Sequence, residues 1–179
     1  MPIVELDLHR CPFVDLTPLR ELKLTKLSIS SDTVTDFSPL RGMPIERLYL
    51  NNCANLRDLS PLTELPLREL YLDHCPSLTN VAALAEIPTL EKVTVPVHAR
   101  NVEALRKLPR LQRLGFGMIG GNPDSSVEEF WEVHGWIGKL VEAGIRPRAF
   151  RRMGHGTWDL DLSGDSLVDH LTLEWEGSR

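Results

Sequence analysis

The chain has 179 residues, of which 42% are hydrophobic and 25% charged, with 20 Lys and Arg set against 25 Asp and Glu. A formal charge of -5 argues against a nucleic-acid partner, because phosphate binding usually calls for a strongly basic face. No apolar run approaches the roughly 20 residues that span a bilayer, and the stretch from Met1 to Arg20 has scattered charges and no apolar centre. Neither a membrane partner nor a secretory signal is expected, and the expected compartment is cytoplasmic.

Along the chain, hydrophobic residues return in register every 21 to 23 residues. The copies open at Ile3, Leu24, Ile45, Leu67, Leu90 and Leu111, with apolar residues at positions one, four and six. The first runs Ile3, Leu6, Leu8 and then Cys11; the third runs Ile45, Leu48, Leu50 and then Cys53; the fourth runs Leu67, Leu70, Leu72 and then Cys75. This period and spacing define a leucine-rich repeat, so residues 1–122 are predicted to form a six-repeat array. In such repeats the place held by Cys11, Cys53 and Cys75 is tucked inside the turn, and Asp32 is expected to hold it in the second copy. Cys53 and Cys75 stand on adjacent rungs, about 4.8 Å apart. A disulfide is conceivable there, but ladder side chains point inward in parallel, and buried free thiols are expected. Zinc needs four converging ligands, and no CxxC spacing supplies them.

After each strand comes a second fixed motif: Asp15-Leu16-Thr17-Pro18-Leu19, Asp36-Phe37-Ser38-Pro39-Leu40 and Asp58-Leu59-Ser60-Pro61-Leu62. Ser or Thr is expected to accept from the free amides of a short helical turn, with proline pre-set in φ. The motif changes to Asn80-Val81-Ala82-Ala83-Leu84 and Asn101-Val102-Glu103-Ala104-Leu105, where more regular helix is expected. Pro44, Pro66, Pro88 and Pro109 precede strands and stop the turns. The segment from Leu24 to Leu84 resembles bacterial leucine-rich repeats of the internalin type, which share the Asp-hydrophobic-Ser-Pro-Leu turn. It also resembles the leucine-rich tails of planctomycete-type serine/threonine protein kinases, whose arrays end in a helix carrying Glu-Phe-Trp, here Glu129-Phe130-Trp131. The resemblance implies an α/β leucine-rich-repeat solenoid, a right-handed superhelix with a concave parallel sheet and a C-terminal capping helix and hairpin. The chain departs from the kinases themselves, having no glycine-rich nucleotide loop, His-Arg-Asp loop or Asp-Phe-Gly.

Met1-Pro2-Ile3 repeats the local sequence Met43-Pro44-Ile45, so the first strand begins without a polar cap. Its edge is therefore expected to be covered by a preceding domain or another chain. Residues 123–179 leave the repeat. Ser125 and Ser126 precede Glu128 and Glu129 at capping-box spacing, and a helix is predicted from about Val127 to Ala143, stopped by Gly144. Its apolar stripe is Val127, Phe130, Trp131, His134, Ile137 and Val141, with Trp136 and Leu140 off it. Trp158, Leu160 and Leu162 alternate as a strand, and Val168, Leu171 and Leu173 restore the repeat spacing, so a seventh repeat-like strand is expected.

Several constellations carry little chemistry. Asp159, Asp161, Ser163, Gly164 and Asp165 imitate a calcium loop, but His170 stands where the bidentate Glu belongs. Arg146, Arg148, Arg151 and Arg152 read as a solvated connection. No histidine pair has metal-ligand spacing, and no Ser or Cys nucleophile has a visible partner. The chain is therefore read as non-enzymatic, with no cofactor and no metal. What remains is the concave sheet, whose outward rows include Glu5, Asp7 and His9, then Lys26 and Ser28, then Arg47, Tyr49 and Asn51. The next are Glu69, Tyr71 and Asp73, then Lys92 and Thr94, then Arg113, Gly115 and Gly117. Tyr and Arg are enriched at interface hot spots, so Asp7, Arg47, Tyr49, Asn51, Glu69, Tyr71, Asp73 and Lys92 are the expected partner-binding set. The partner would be a protein or peptide. A regulatory or targeting role, as the tail of a kinase or other modular signalling protein, is the alternative.

Overall fold

The computed structural model describes residues 3–9, 15–142, 149–154, 157–161 and 170–174. Six short strands pair in parallel and in chain order: β1 (Glu5–His9), β2 (Lys26–Ser30), β3 (Arg47–Leu50), β4 (Glu69–Tyr71), β5 (Lys92–Thr94) and β6 (Arg113–Gly115). Leu6, Leu27, Leu48, Leu70, Val93 and Leu114 are register partners from one strand to the next. From Leu27 onward these side chains are fully buried. The one-four-six pattern puts them on one face because strand side chains alternate.

The strands are joined by 3-10 turns at Thr17–Leu19, Ser38–Leu40 and Ser60–Leu62, lengthening to Ala82–Glu86 and Val102–Lys107. Ser and Thr do not cap them. The carboxylate two residues earlier does: Asp15, Asp36 and Asp58 accept from the amides of Thr17, Ser38 and Ser60 at 2.8, 2.8 and 2.9 Å, and the Asn80 side chain accepts from Ala82 at 3.0 Å. Asp fits here because its short side chain folds back onto the backbone two residues on.

The inward place after each strand is held by Cys53 and Cys75, both fully buried and free. Each thiol donates to a carbonyl of the preceding repeat, Cys53 to Ile29 at 3.7 Å and Cys75 to Leu50 at 2.9 Å. The Cys53 thiol beside it and its own burial push the Cys75 thiol up. In the second repeat the place belongs to Ser31, not to Asp32. Ser31 is buried and accepts from the amides of Thr33 and Val34, each at 3.2 Å, whereas Asp32 is exposed. Cys11 lies outside the described residues.

Beyond β6 the chain forms a small hairpin, β7 (Met118–Ile119) and β8 (Asn122–Pro123), followed by the helix α1 (Val127–Glu142). The capping box is reciprocal: Glu129 N–H donates to Ser126 Oγ at 3.2 Å, and Ser126 N–H donates to Glu129 Oε2 at 3.0 Å. Phe130 is buried against the repeat core, with Val127 and Trp131 beside it. A second face, Val133, Ile137 and Leu140, packs with Leu160. The predicted single stripe included Ile137 but missed Val133 and Leu140, because the helix is apolar toward two neighbours; Trp136 is exposed.

The end of the chain is a three-stranded antiparallel sheet, with β10 (Thr157–Asp161) between β9 (Ala149–Gly154) and β11 (His170–Glu174). Leu171 and Leu173 do not form a seventh repeat strand: they lie in β11, which pairs antiparallel with β10 and not with the repeat sheet. Arg151 and Arg152 are part of β9, paired in register with Asp159 and Trp158, and not part of a connection. Gly144, Arg146, Arg148, His155 and positions 162–169 lie outside the described residues. No helix among the described residues is long and apolar enough to cross a membrane.

Candidate functional site

The concave face is organised as columns, since the parallel register sets each strand's outward residues beside those of the next. The first column reads Glu5, Lys26, Arg47, Glu69, Lys92, Arg113, the same three residue types in the same order twice. Glu5 lies 3.1 Å from Lys26 and 3.7 Å from Arg47, and Glu69 lies 3.2 Å from Lys92. Two carboxylates stand among four cations in this column, so it is a ladder of ion pairs with positive charge in excess, each pair stabilising only modestly.

The second column reads Asp7, Ser28, Tyr49, Tyr71, Thr94, Gly115. The tyrosine rings stack with centroids 4.6 Å apart and planes 9° apart, the separation that adjacent rungs impose. Tyr49 is half-buried. Tyr71 does not face solvent as the alternation predicts; its exposure is 0%. The β7–β8 hairpin folds back over it, and the Tyr71 hydroxyl lies 3.3 Å from the Gly121 carbonyl and 3.4 Å from Glu69 Oε2. Burial, with the Glu69 charge beside it, raises the phenol well above its ordinary value.

The hairpin is fastened at two more column positions. Arg113 donates to the Pro123 carbonyl from Nε at 3.1 Å and Nη2 at 2.6 Å. At Gly115 a Cβ would stand 2.2 Å from Asp124 Oδ1, so only glycine lets this buried aspartate lie flat on β6. The sequence pattern gave Gly115 and Gly117 as concave positions. It gave no sign that the following ten residues return onto them, except that glycines replace side chains there.

Near the open end, His9 Nε2 lies 3.2 Å from both Asp7 Oδ1 and Ser28 Oγ. A nucleophile relay uses the two ring nitrogens separately, one toward the base's orienting carboxylate and one toward the serine. Here one nitrogen serves both, which is a sheet-surface arrangement. In the third column Asn51 Oδ1 is buried without a hydrogen-bond partner. Asp73 Oδ2 accepts from Thr94 Oγ1 at 3.3 Å, and burial holds its carboxyl above the usual range. Asn52 and His74, which follow these residues, take positive φ of 57° and 56°, ending each strand in the same way. Among the described residues no group of three or more His, Cys, Asp or Glu is placed to hold a metal ion.

Of the expected set, Asp7, Arg47, Tyr49 and Asn51 come together on the part of the face the hairpin leaves uncovered. Glu69, Tyr71, Asp73 and Lys92 lie on its border or beneath it. The sequence matches no family model and no curated protein. Among solved structures it is similar to internalin C2 of Listeria monocytogenes, at 30% identity and a TM-score of 0.57 over 63% of this chain and 50% of that one. The chain is a leucine-rich-repeat solenoid. It spans half the length of that internalin structure. A second internalin of the same species, InlF, aligns at 26% identity and a TM-score of 0.40 over 57% of this chain and 37% of that one. The solenoid's described end carries a helix and an antiparallel sheet beyond the six repeat strands.

Proposed function

We propose that the concave sheet is a non-catalytic protein-binding surface, with Asp7, Arg47, Tyr49, Asn51, Glu69, Tyr71, Asp73 and Lys92 as its contact residues. The observation that carries this reading is Tyr49, a half-exposed aromatic ring held flat by stacking on the buried Tyr71 ring. A pre-ordered ring loses little freedom when a partner covers it, which is what makes an aromatic hot spot. The similarity to an internalin supports an interaction scaffold in general terms.

A second reading, a positioning module of a kinase or other modular signalling protein, is favoured by the open edge of β1. Ile3 and Val4 are 54% and 46% exposed there, an apolar edge suited to cover by another domain or chain. The test is capture of partners by the intact chain and by two variants. Tyr49→Ala should weaken capture by about 2 kcal/mol or more if the ring is a hot spot, with Ile3→Lys neutral. Loss with Ile3→Lys and none with Tyr49→Ala favours the second reading and sinks the first.

A further inference from the structure

Two halves of the first column share a residue order but not a bonding pattern. In the first half Arg47 turns to Glu5. Its counterpart three repeats on, Arg113, has the equivalent carboxylate available in Glu69, yet donates both nitrogens to the Pro123 carbonyl. The hairpin therefore holds an arginine that the sheet's own pattern would pair with Glu69. The hairpin itself is slight: two strands of two residues joined through Gly120 and Gly121 at positive φ. Of its apolar side chains, Met118 and Ile119 are 39% and 51% exposed, whereas Pro123 is buried. What fixes it are polar contacts to concave residues, Tyr71 to Gly121, Arg113 to Pro123, and Asp124 against Gly115.

We propose that this hairpin is a gate over the second half of the concave face, occupying it in place of a partner. Seated, it covers Tyr71. Lifted, it returns Arg113 to Glu69 in the pairing that Arg47 and Glu5 already show, and opens the stacked tyrosines as one continuous ladder. Tyr71 keeps Glu69 as acceptor and Arg113 exchanges a carbonyl for a carboxylate, while the Asp124 amide gives up the Gly117 carbonyl to water. Opening uncovers the Tyr71 ring, so the seated state is favoured in the free chain and a partner shifts the balance by covering that ring itself. The occupant that fits the vacated half is an extended peptide segment, offering backbone carbonyls to Tyr71 and Arg113 and a carboxylate over Gly115. This inference rests on the concave sheet being the binding face, and its test needs no partner, so the two can fail separately.

Hydroxyl-radical footprinting of the intact chain reads the gate directly, because the sequence contains two tyrosines. Tyr71 should be oxidised about ten-fold more slowly than Tyr49, from its burial beneath the hairpin. Asp124→Ala removes the anchor, and Gly115→Ala drives a Cβ into it from the sheet side. Either should bring Tyr71 close to the Tyr49 rate while β-sheet circular dichroism stays unchanged. A folded pair of variants in which Tyr71 remains slow overturns the proposal, as does a wild type in which both tyrosines react alike. Should neither variant fold, amide exchange in the wild type decides. The Asp124 amide, bonded to Gly117 O at 3.0 Å, should exchange about a hundred-fold or more faster than the Val95 amide, bonded to Gly115 O at 2.9 Å. Equal protection means the hairpin opens only when the whole fold does, and there is no gate.

Discussion

The two ends of the repeat stack use the same one-four-six strand and are finished in opposite ways. At the β6 end, α1 lays Phe130 on the core, and Arg106 from the last 3-10 turn sits 3.8 Å over the Trp131 ring. Glu103 binds both Arg106, at 2.6 Å, and His134, at 3.4 Å, so helix and repeat are clasped by a shared carboxylate. At the β1 end no described element lies outside the strand, and Leu6 and Leu8 are only partly buried. The sequence pattern is equally good at both ends. In a solenoid, then, burial is conferred by adjacency: a leucine in register becomes core only when a neighbour stands on each side.

Substitutions at the two ends should differ most in stability. Phe130→Ala is expected to cost about 3–5 kcal/mol and Leu70→Ala, in mid-stack, about 2–5 kcal/mol. Leu6→Ala, on the open edge, should cost only about 1 kcal/mol, in proportion to the area it buries. Denaturant unfolding of the three variants measures this, and a Leu6 cost equal to that of Leu70 would mean that something covers β1.

Within the sheet the tyrosines sharpen the same contrast. Tyr71→Ala should destabilise by about 2 kcal/mol or more, since it empties a filled site and strands the hairpin. Tyr49→Ala should cost less, about 0.5–1.5 kcal/mol, the worth of the stacked pair it breaks. Equal melting of the two would place the hairpin off Tyr71.

The buried thiols give a kinetic contrast between stack and edge. Cys53 and Cys75 should label only as fast as the repeats open, and rapidly once the chain unfolds. Fast labelling in the native state would displace the ladder register.

The smallest effect expected is a pH slope confined to the clasped end. Burial holds the His134 imidazole below its ordinary range, outweighing the opposite pull of Glu103. The unfolded chain therefore binds the proton more tightly, so stability is complete above about pH 7 and declines as pH falls through about 6.5 toward the lower folded value. His134→Phe keeps a ring against Phe116 and Phe130 and should flatten the melting temperature between about pH 7.5 and 5.5. A slope unchanged by the substitution would move its origin elsewhere.

Much of the sheet was legible in the sequence because strand alternation and repeat period are both short-range signals. They fix which residues point outward, and the observed register places Glu5, Lys26 and Arg47 side by side as expected. Three features escaped that logic. Ser31 displaced Asp32 because the second repeat is one residue shorter on its inward turn, so counting from the opening leucine overshoots. Tyr71 was read as exposed because alternation says which face a side chain occupies, not what later folds over it. In the end sheet the hairpin of β10 and β11 was expected, but β9 was missed, and Leu171 and Leu173 were also read as a repeat strand because they satisfy that spacing equally well and pairing partners are decided by distant chain.

The Glu-Lys-Arg order of the first column has a consequence for engineering. A pattern that recurs after three strands makes the three-repeat block the electrostatic unit of this face. The two cations of each block already stand on neighbouring rungs, Lys26 beside Arg47 and Lys92 beside Arg113, and duplicating a single cationic rung would add a third to the same glutamate. Adding or removing a whole block would keep every glutamate flanked by the cations it holds. The array should therefore lengthen or shorten most readily in steps of three strands.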